Sequence, residues 1–200
     1  MKKQIILSLI TVALSFFFLF ACNSSQTGQG NSNAASDTIA ATANQYAGFP
    51  TQVAWGKHLV NMGGCADCHT PKIMTKMGPM PDTTMYLAGH PAQVPVPGIN
   101  RKEIESKGLI VTNDLSVWIG PWGITYAANL TPDETGIGHW SEAQFIRCIR
   151  EGKWMGLDSS RQLLPPMNFV AAEIGHAASD QELKAIFAYL KTVKPVNNVV

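Results

Sequence analysis

The sequence predicts a mainly α-helical domain that is interrupted by a long irregular segment with some β-strand character. Three stretches carry helix-start signals followed by helically spaced apolar residues, and they begin at Thr51, Ser141 and Ser179. Six of the 12 prolines lie between Pro71 and Pro97, so regular structure is not expected there. The length of 200 residues fits one domain with accessory segments.

The N-terminal 21 residues have the features of an export signal. Lys2 and Lys3 precede an apolar run, and no acidic residue occurs in this stretch. Residues 19–22 read Leu-Phe-Ala-Cys, which resembles the lipobox of bacterial lipoproteins. We therefore expect residues 1–21 to be a lipoprotein signal peptide and Cys22 to receive lipid. An uncleaved membrane anchor and a free secreted protein are the alternatives.

Residues 22–48 are rich in small and polar residues and hold almost no large apolar side chain. Such a composition cannot bury enough surface to offset the entropy of ordering, which predicts a flexible tether. The folded domain is then expected over residues 49–196. Its acidic and basic residues nearly balance, and this excludes the basic surface that nucleic-acid binding requires.

The first predicted helix begins at Thr51, whose side chain can cap it, and ends at Gly63-Gly64. It leads directly into residues 65–69, Cys-Ala-Asp-Cys-His, a pattern typical of covalent c-type haem attachment. Cys65 and Cys68 would each form a thioether with a haem vinyl group, and His69 would ligate the iron. The expected cofactor is one haem c with its iron.

Two other uses of this pattern fit the sequence less well. A structural zinc site would need a second pair of ligands at finger spacing, and none follows. A redox dithiol has no need of the adjacent His69. In the haem interpretation the second ring nitrogen of His69 should donate to a backbone carbonyl, and Pro71 is a weak candidate for that acceptor.

The residues after the haem motif predict an insert followed by two helices. Residues 109–113 and 117–129 have strand character that is broken at Gly120-Pro121, within a long insert suited to wrapping a haem edge. Capping-box signatures start the second and third helices, and Gly152 suits the end of the second. The capping pairs are Ser141 with Gln144 and Ser179 with Glu182. Cys148, within the second helix, is expected to pack as a small buried apolar residue.

A sixth iron ligand has several candidates. Met167 follows Pro165-Pro166, so a rigid loop could present its soft thioether sulfur. Met80 is within reach of the haem motif, and a methionine cluster after His69 could instead bind Cu(I). Bis-histidine ligation would use His90 or His176, whereas His58 and His139 are expected to lie on the surface or to pack against neighbouring residues. The methionine cluster comprises Met74, Met77, Met80 and Met85.

Seven stretches resemble the haem modules of bacterial multi-haem cytochromes that are associated with periplasmic dehydrogenases. They lie at residues 65–71, 87–89, 129–138, 140–141, 150–152, 164–167 and 185–190. The resemblance covers about residues 50–195 and implies the class I cytochrome c fold, with Met167 as the distal ligand. Those subunits usually carry two or three Cys-x-x-Cys-His motifs, whereas this chain carries one, which implies a single module.

The haem motif, the N-terminal segment and the resemblance together predict electron transfer by a membrane-anchored, single-haem c-type cytochrome that is not an enzyme. His69 and Met167 would be the axial ligands, and the domain would face the periplasm or the cell exterior. Its partners would be transient redox proteins such as a periplasmic dehydrogenase or a terminal oxidase. The alternative is a haem-based peroxidase-like enzyme or a ligand sensor, either of which needs an open sixth coordination position.

Overall fold

Six α-helices and two small antiparallel sheets occur in the part of the chain that the computed structural model describes, residues 45–96 and 98–200. In chain order the elements are α1 (Gln52–Met62), α2 (Cys65–His69), β1 (Lys72–Thr75), β2 (Gly78–Pro81), α3 (Arg101–Lys107), β3 (Val111–Thr112), β4 (Val117–Gly120), β5 (Gly123–Tyr126), α4 (Glu142–Glu151), α5 (Met167–Ala177) and α6 (Asp180–Leu190).

The expected signal peptide, Cys22 and all of the expected tether before residue 45 lie outside the described residues. Among the helices of residues 45–96 and 98–200, none has the length and apolar character needed to cross a bilayer.

The three helices expected from the sequence are present as α1, α4 and α6. The hydroxyl of Thr51 caps α1 by accepting the backbone N–H of Ala54 at 3.1 Å. Gly152 ends α4 in the left-handed conformation. Both predicted capping boxes form, and their pairs are Ser141 with Gln144 and Ser179 with Glu182.

The proline-rich segment after the second cysteine differs from the expectation, because β1 and β2 form a hairpin there. Ile73 pairs with Met80, and Met74 pairs with Pro79. The sheet has only two strands, so each strand has one edge without a partner. A proline, which lacks an N–H, is tolerated where a strand needs no donor. Two prolines therefore did not exclude a strand at 78–81.

A second unexpected element is α5, which starts at Met167 directly after the two prolines. Proline is favoured at a helix N-terminus, where a backbone donor is not needed. Gly175 of α5 lies against α4, because a Cβ there would be 2.7 Å from the carbonyl oxygen of Ile149. Close contact with α4 supports this helix, although no side chain caps its start. The short helix α3 is a further element that was not expected.

The strand character after residue 109 is confirmed by a three-stranded sheet in the order β3–β4–β5. The break at Gly120-Pro121 is the tight connection between β4 and β5. This sheet leads the chain toward residues 127–130, which run beside residues 87–90. Leu130 N donates to Leu87 O at 2.9 Å, and His90 N donates to Ala127 O at 2.9 Å.

A main core cluster joins the helices. Gly56 lets α1 cross α6 closely, because a Cβ at this position would overlap the carbonyl of Ala185. Phe145 of α4 and Phe187 of α6 lie with ring centroids 5.4 Å apart. The cluster comprises Val60, Leu87, Ile137, Phe145, Ile149, Leu183, Ile186, Phe187, Leu190 and Val193.

Candidate cofactor site

The short helix α2 carries both thiols and the imidazole of the expected attachment motif. Gly64, in the left-handed conformation, separates α2 from α1 and redirects the chain. Residues three and four apart share one face of a helix, so Cys68 and His69 lie on the same side as Cys65. Both thiols are free and partly exposed. The fold therefore presents two thioether-forming groups and one ligand from a single helical turn.

His69 is fixed at both its ring and its backbone. Its side chain is buried, and Nδ1 lies 2.7 Å from the carbonyl oxygen of Ala128. A carbonyl only accepts, so Nδ1 carries the proton and Nε2 keeps its lone pair. Nε2 makes no hydrogen bond to any of residues 45–96 or 98–200. The ring is thus in the tautomer that can bind a metal through Nε2.

The expected acceptor for His69 was Pro71, and that expectation is wrong. The carbonyl of Pro71 instead accepts the backbone N–H of Asp82 at the base of the hairpin. Ala128 lies 59 residues beyond His69 in sequence. The acceptor is a backbone oxygen, and because every residue has one, the side-chain types in the sequence could not identify Ala128.

Burial dominates the electrostatics of the three groups. Burial lowers the pKa of His69, although the hydrogen bond to Ala128 opposes that shift. The lowered pKa favours a neutral imidazole. Burial also raises the pKa of Cys65 to about 11. The pKa of the Cys68 thiol is raised by burial too, with Lys72 acting in the opposite direction.

Gly89 allows the Ala128 carbonyl to reach the imidazole. Its φ is +77°, and a Cβ there would lie 2.7 Å from Ala128 O. Its backbone N–H donates to the carbonyl oxygen of His69 at 2.8 Å. Gly89 belongs to one of the stretches that resemble the haem modules, and the close approach of three backbone segments explains why a glycine is needed there.

Met167 is the first residue of α5 and is partly buried. Its side chain packs against the main core cluster, as Cys65 does, and against a smaller cluster of Cys148, Leu163 and Ala171. The preceding loop is held by Thr125 of β5, whose hydroxyl donates to the carbonyl oxygen of Pro165 at 2.6 Å. The insert therefore positions the loop that carries Met167.

Neither histidine considered for bis-histidine ligation is both buried and free to bind a metal. His90 is buried, with Nδ1 2.8 Å from Ser116 Oγ and Nε2 3.1 Å from Val94 O. Both ring nitrogens of His90 therefore have partners already. His176 is exposed on α5. His58 and His139 are exposed as expected, the former beside the ring of Phe49.

The methionines after His69 do not converge on one point. Met74 and Met77 are exposed by 80% and 84%, and Met80 by 42%. In an antiparallel pair, directly opposite residues share a face and neighbours in a strand alternate. Met80 therefore shares its face with Ile73, whereas Met74 projects from the other face. This register does not form the Cu(I) cluster that their spacing allowed.

Cys148 packs as expected, because it is 7% exposed and lies between Leu163 and Ala171. Burial raises the pKa of its thiol to about 11, so it stays in the neutral form.

The donor set fits a covalently attached haem. Two thiols and an unpaired imidazole nitrogen share a face, and a thioether packs on the same core. Two buried polar atoms also lack partners within residues 45–96 and 98–200, namely Trp122 Nε1 and Asn168 Oδ1. Asn168 adjoins Met167, so one of these unpaired atoms lies next to the candidate distal ligand. In that same part of the chain, no three His, Cys, Asp or Glu side chains are grouped to hold a bare metal ion.

Comparison with known proteins gives two partial similarities. The chain is 40% identical over 77 residues to one component of the nicotinate dehydrogenase of Pseudomonas putida KT2440, which is 38% of this chain and 6% of that protein. It is 29% identical over 149 residues to the cytochrome c subunit of the quinone alcohol dehydrogenase of Gluconobacter oxydans 621H. That match covers 72% of this chain and 24% of the subunit.

The chain thus spans less than a quarter of the length of either relative. No family model matches it. The second relative is named as a cytochrome c subunit, and the similarity supports a cytochrome c-like module in this chain. The similarity is consistent with haem c as the cofactor and with electron transfer.

Proposed function

We propose that this chain is a single-haem c-type cytochrome that carries electrons between redox proteins. The observation that supports it best is the arrangement on α2, where Cys65, Cys68 and the free Nε2 of His69 share one face. Haem c supplies the one-electron ferrous–ferric couple when it is bound. The protein contributes attachment, axial ligands and an apolar surrounding.

His69 is the proximal ligand in this proposal, and the Ala128 carbonyl adjusts its strength. A hydrogen bond from Nδ1 to a carbonyl makes Nε2 a better donor to the metal and fixes the ring orientation. Met167 is the distal ligand, and a thioether in that position raises the reduction potential. Its packing on the core cluster that Cys65 also contacts supports this role.

The proposal includes export and anchoring. Residues 1–21 act as a lipoprotein signal peptide, Cys22 carries the lipid, and residues 22–48 tether the domain to the membrane. The domain then works in the periplasm or at the cell exterior. Both relatives are named as parts of dehydrogenases, so a dehydrogenase is the partner we propose first, with a terminal oxidase as the second.

Covalent attachment is the first experiment. The chain is expressed with export and haem-maturation machinery, and the haem is extracted with acidified organic solvent. The wild type should retain its haem and gain the mass of one haem, because thioethers survive the solvent. Cys65→Ala and Cys68→Ala should each leave one thioether or abolish maturation. Cys148→Ala is the matched control, since this buried thiol is outside the motif.

Loss of the haem from the wild type into the solvent would contradict the proposal. So would equal retention of haem in Cys65→Ala, Cys68→Ala and Cys148→Ala, because attachment would then not depend on the motif.

A further inference from the structure

Asn198 is a buried polar residue whose side-chain amide makes three hydrogen bonds to backbone groups. It is 4% exposed. Nδ2 donates to the carbonyl oxygens of Ala88 at 2.7 Å and His90 at 2.8 Å. Oδ1 accepts the backbone N–H of Ala92 at 3.0 Å. One side chain therefore fastens three peptide groups of residues 88–92.

The C-terminal segment that carries Asn198 is itself held in place. Asn129 is buried and donates from Nδ2 to the carbonyl oxygen of Val196 at 2.8 Å. The backbone N–H of Asn198 donates to Thr135 Oγ1 at 2.9 Å. The backbone N–H of Val196 donates to Thr131 Oγ1 at 3.1 Å. Because these side chains hold residues 196–198 in place, Asn198 can in turn hold residues 88–92 in place.

One peptide group connects Asn198 to His69. The carbonyl of Ala88 accepts from Asn198 Nδ2, and the N–H of the same peptide group, which belongs to Gly89, donates to the carbonyl oxygen of His69. Hydrogen bonds at both ends of one peptide group strengthen each other by polarisation. This connection holds the carbonyl group of His69 in place through the N–H of Gly89.

A second connection runs through the ring of His69. Gly89 lies against the carbonyl of Ala128, where no Cβ would fit. His90, which Asn198 also binds, donates its N–H to Ala127 O at 2.9 Å. The position of residues 88–90 therefore determines where the Ala128 carbonyl meets Nδ1 of His69.

We propose that Asn198 is a positioning residue for the haem ligand His69, an inference that rests on the proposed function. It acts through residues 88–90 and the Ala128 carbonyl, and its side-chain hydrogen bonds go to Ala88, His90 and Ala92 rather than to His69. Removal of its amide loosens these backbone segments and weakens the Nδ1–H···O bond. His69 then donates less to the iron, the ferric state is stabilised less, and the reduction potential rises.

The test uses the full-length, haem-loaded protein and three variants. Asn198→Ala removes the amide. Asn198→Leu keeps a similar size, removes both the donor and the acceptor, and adds no charge that could itself change the potential. Asn197→Ala is the matched control, because Asn197 is exposed and makes one long hydrogen bond, 3.4 Å, to Asp133.

Both Asn198 variants should shift the reduction potential upward, and Asn197→Ala should not. The Gly89 amide should exchange with solvent about tenfold faster or more in the Asn198 variants, because one hydrogen bond that protects it is weakened. Lower thermal stability with an unchanged potential and unchanged Gly89 exchange would overturn the inference, since that pattern indicates a structural role only.

The wild type provides a measurement if both Asn198 variants fail to accumulate. The side-chain NH₂ of Asn198 and the backbone N–H of Gly89 should both exchange slowly in NMR spectra, because each is held by a hydrogen bond at one end of the same peptide group. Fast exchange of either group would overturn the proposal. A wild type without covalent haem would instead contradict the proposed function, so the two failures are distinguishable.

Discussion

At the scale of single residues, the Ala128 carbonyl determines what His69 can do. It binds Nδ1 at 2.7 Å and leaves Nε2 as the only ring nitrogen able to bind a metal. Met167 has a parallel dependence, since Thr125 holds the loop that precedes it. Each of the two proposed ligands is thus oriented by a residue from or next to the β-containing insert.

Replacement of Met167 tests whether the protein is an electron carrier with a filled sixth coordination position or an enzyme with an open one. The wild-type ferric protein should show the weak red charge-transfer absorption of methionine-ligated haem, and the ferrous protein should bind carbon monoxide poorly. Met167→Ala should lose the band, lower the potential and bind carbon monoxide readily, because the sixth position opens. Met74→Ala should change none of these, since its side chain is 80% exposed.

The band could instead survive in Met167→Ala, and Met80 would then be the next methionine to replace. A wild type that lacks the band and binds carbon monoxide readily has an open or replaceable sixth position. The carrier proposal would then yield to the peroxidase-like enzyme or the ligand sensor.

At the scale of elements, the crossing of α1 and α6 positions the attachment motif, because α1 leads into α2 through Gly63-Gly64. Gly56 makes this crossing possible by bringing the two backbones together. A side chain here would separate the helices and displace the start of α2.

Gly56→Ala should therefore destabilise the haem-loaded protein by at least about 1–3 kcal/mol, the usual cost of overpacking a close contact. Thermal unfolding followed by circular dichroism measures this loss as a lower Tm. Gly98→Ala is the control, because a Cβ at Gly98 has no neighbour within 4 Å. Equal Tm values for the two variants would show that α1 and α6 can separate without cost.

Local chemistry explains which elements the sequence could predict. The helices α4 and α6 begin with side chains that bond their own backbone, so Ser141 and Ser179 identify them. The start of α5 has no such side chain, and its support comes from contact with α4 at Gly175. The motif on α2 was visible in sequence, but the acceptor of His69 was not, since any residue has a carbonyl.

At the scale of the whole molecule, the proposed lipid anchor sets where electrons can be exchanged. Residues 22–48 would link the anchor to a domain whose described contacts begin near Tyr46, which packs on Trp55. If residues 22–44 behave as a flexible tether, its root-mean-square span would be roughly 24–29 Å. The domain could then reach partners close to the membrane surface.

Cys22→Ser tests this arrangement. The variant should lose labelling by a fatty-acid analogue and should leave the detergent phase, because one thiol is the only attachment point for lipid in the proposal. Phase partitioning and metabolic labelling of the wild type, Cys22→Ser and Cys148→Ser provide the comparison, with Cys148→Ser labelled like the wild type.

Retention of Cys22→Ser in the membrane, together with a wild type that takes up no label, would indicate that residues 1–21 remain as an uncleaved anchor. Labelling that is unchanged by Cys22→Ser would place the lipid elsewhere and contradict the assignment of Cys22.

The separation of His69 from its acceptor also bears on the order of events during synthesis. If the chain leaves the cytoplasm N-terminus first, the motif that ends at His69 emerges 59 residues ahead of Ala128, whose carbonyl binds the imidazole in the folded protein. Asn198 emerges another 70 residues later. Until then the thiols are in open solvent, with none of the burial that raises their pKa values in the folded chain. If the proposed export and haem attachment hold, the interval of translocation would be when the nascent chain is most receptive to a ligase that carries haem, and a faster-folding variant would shorten that interval.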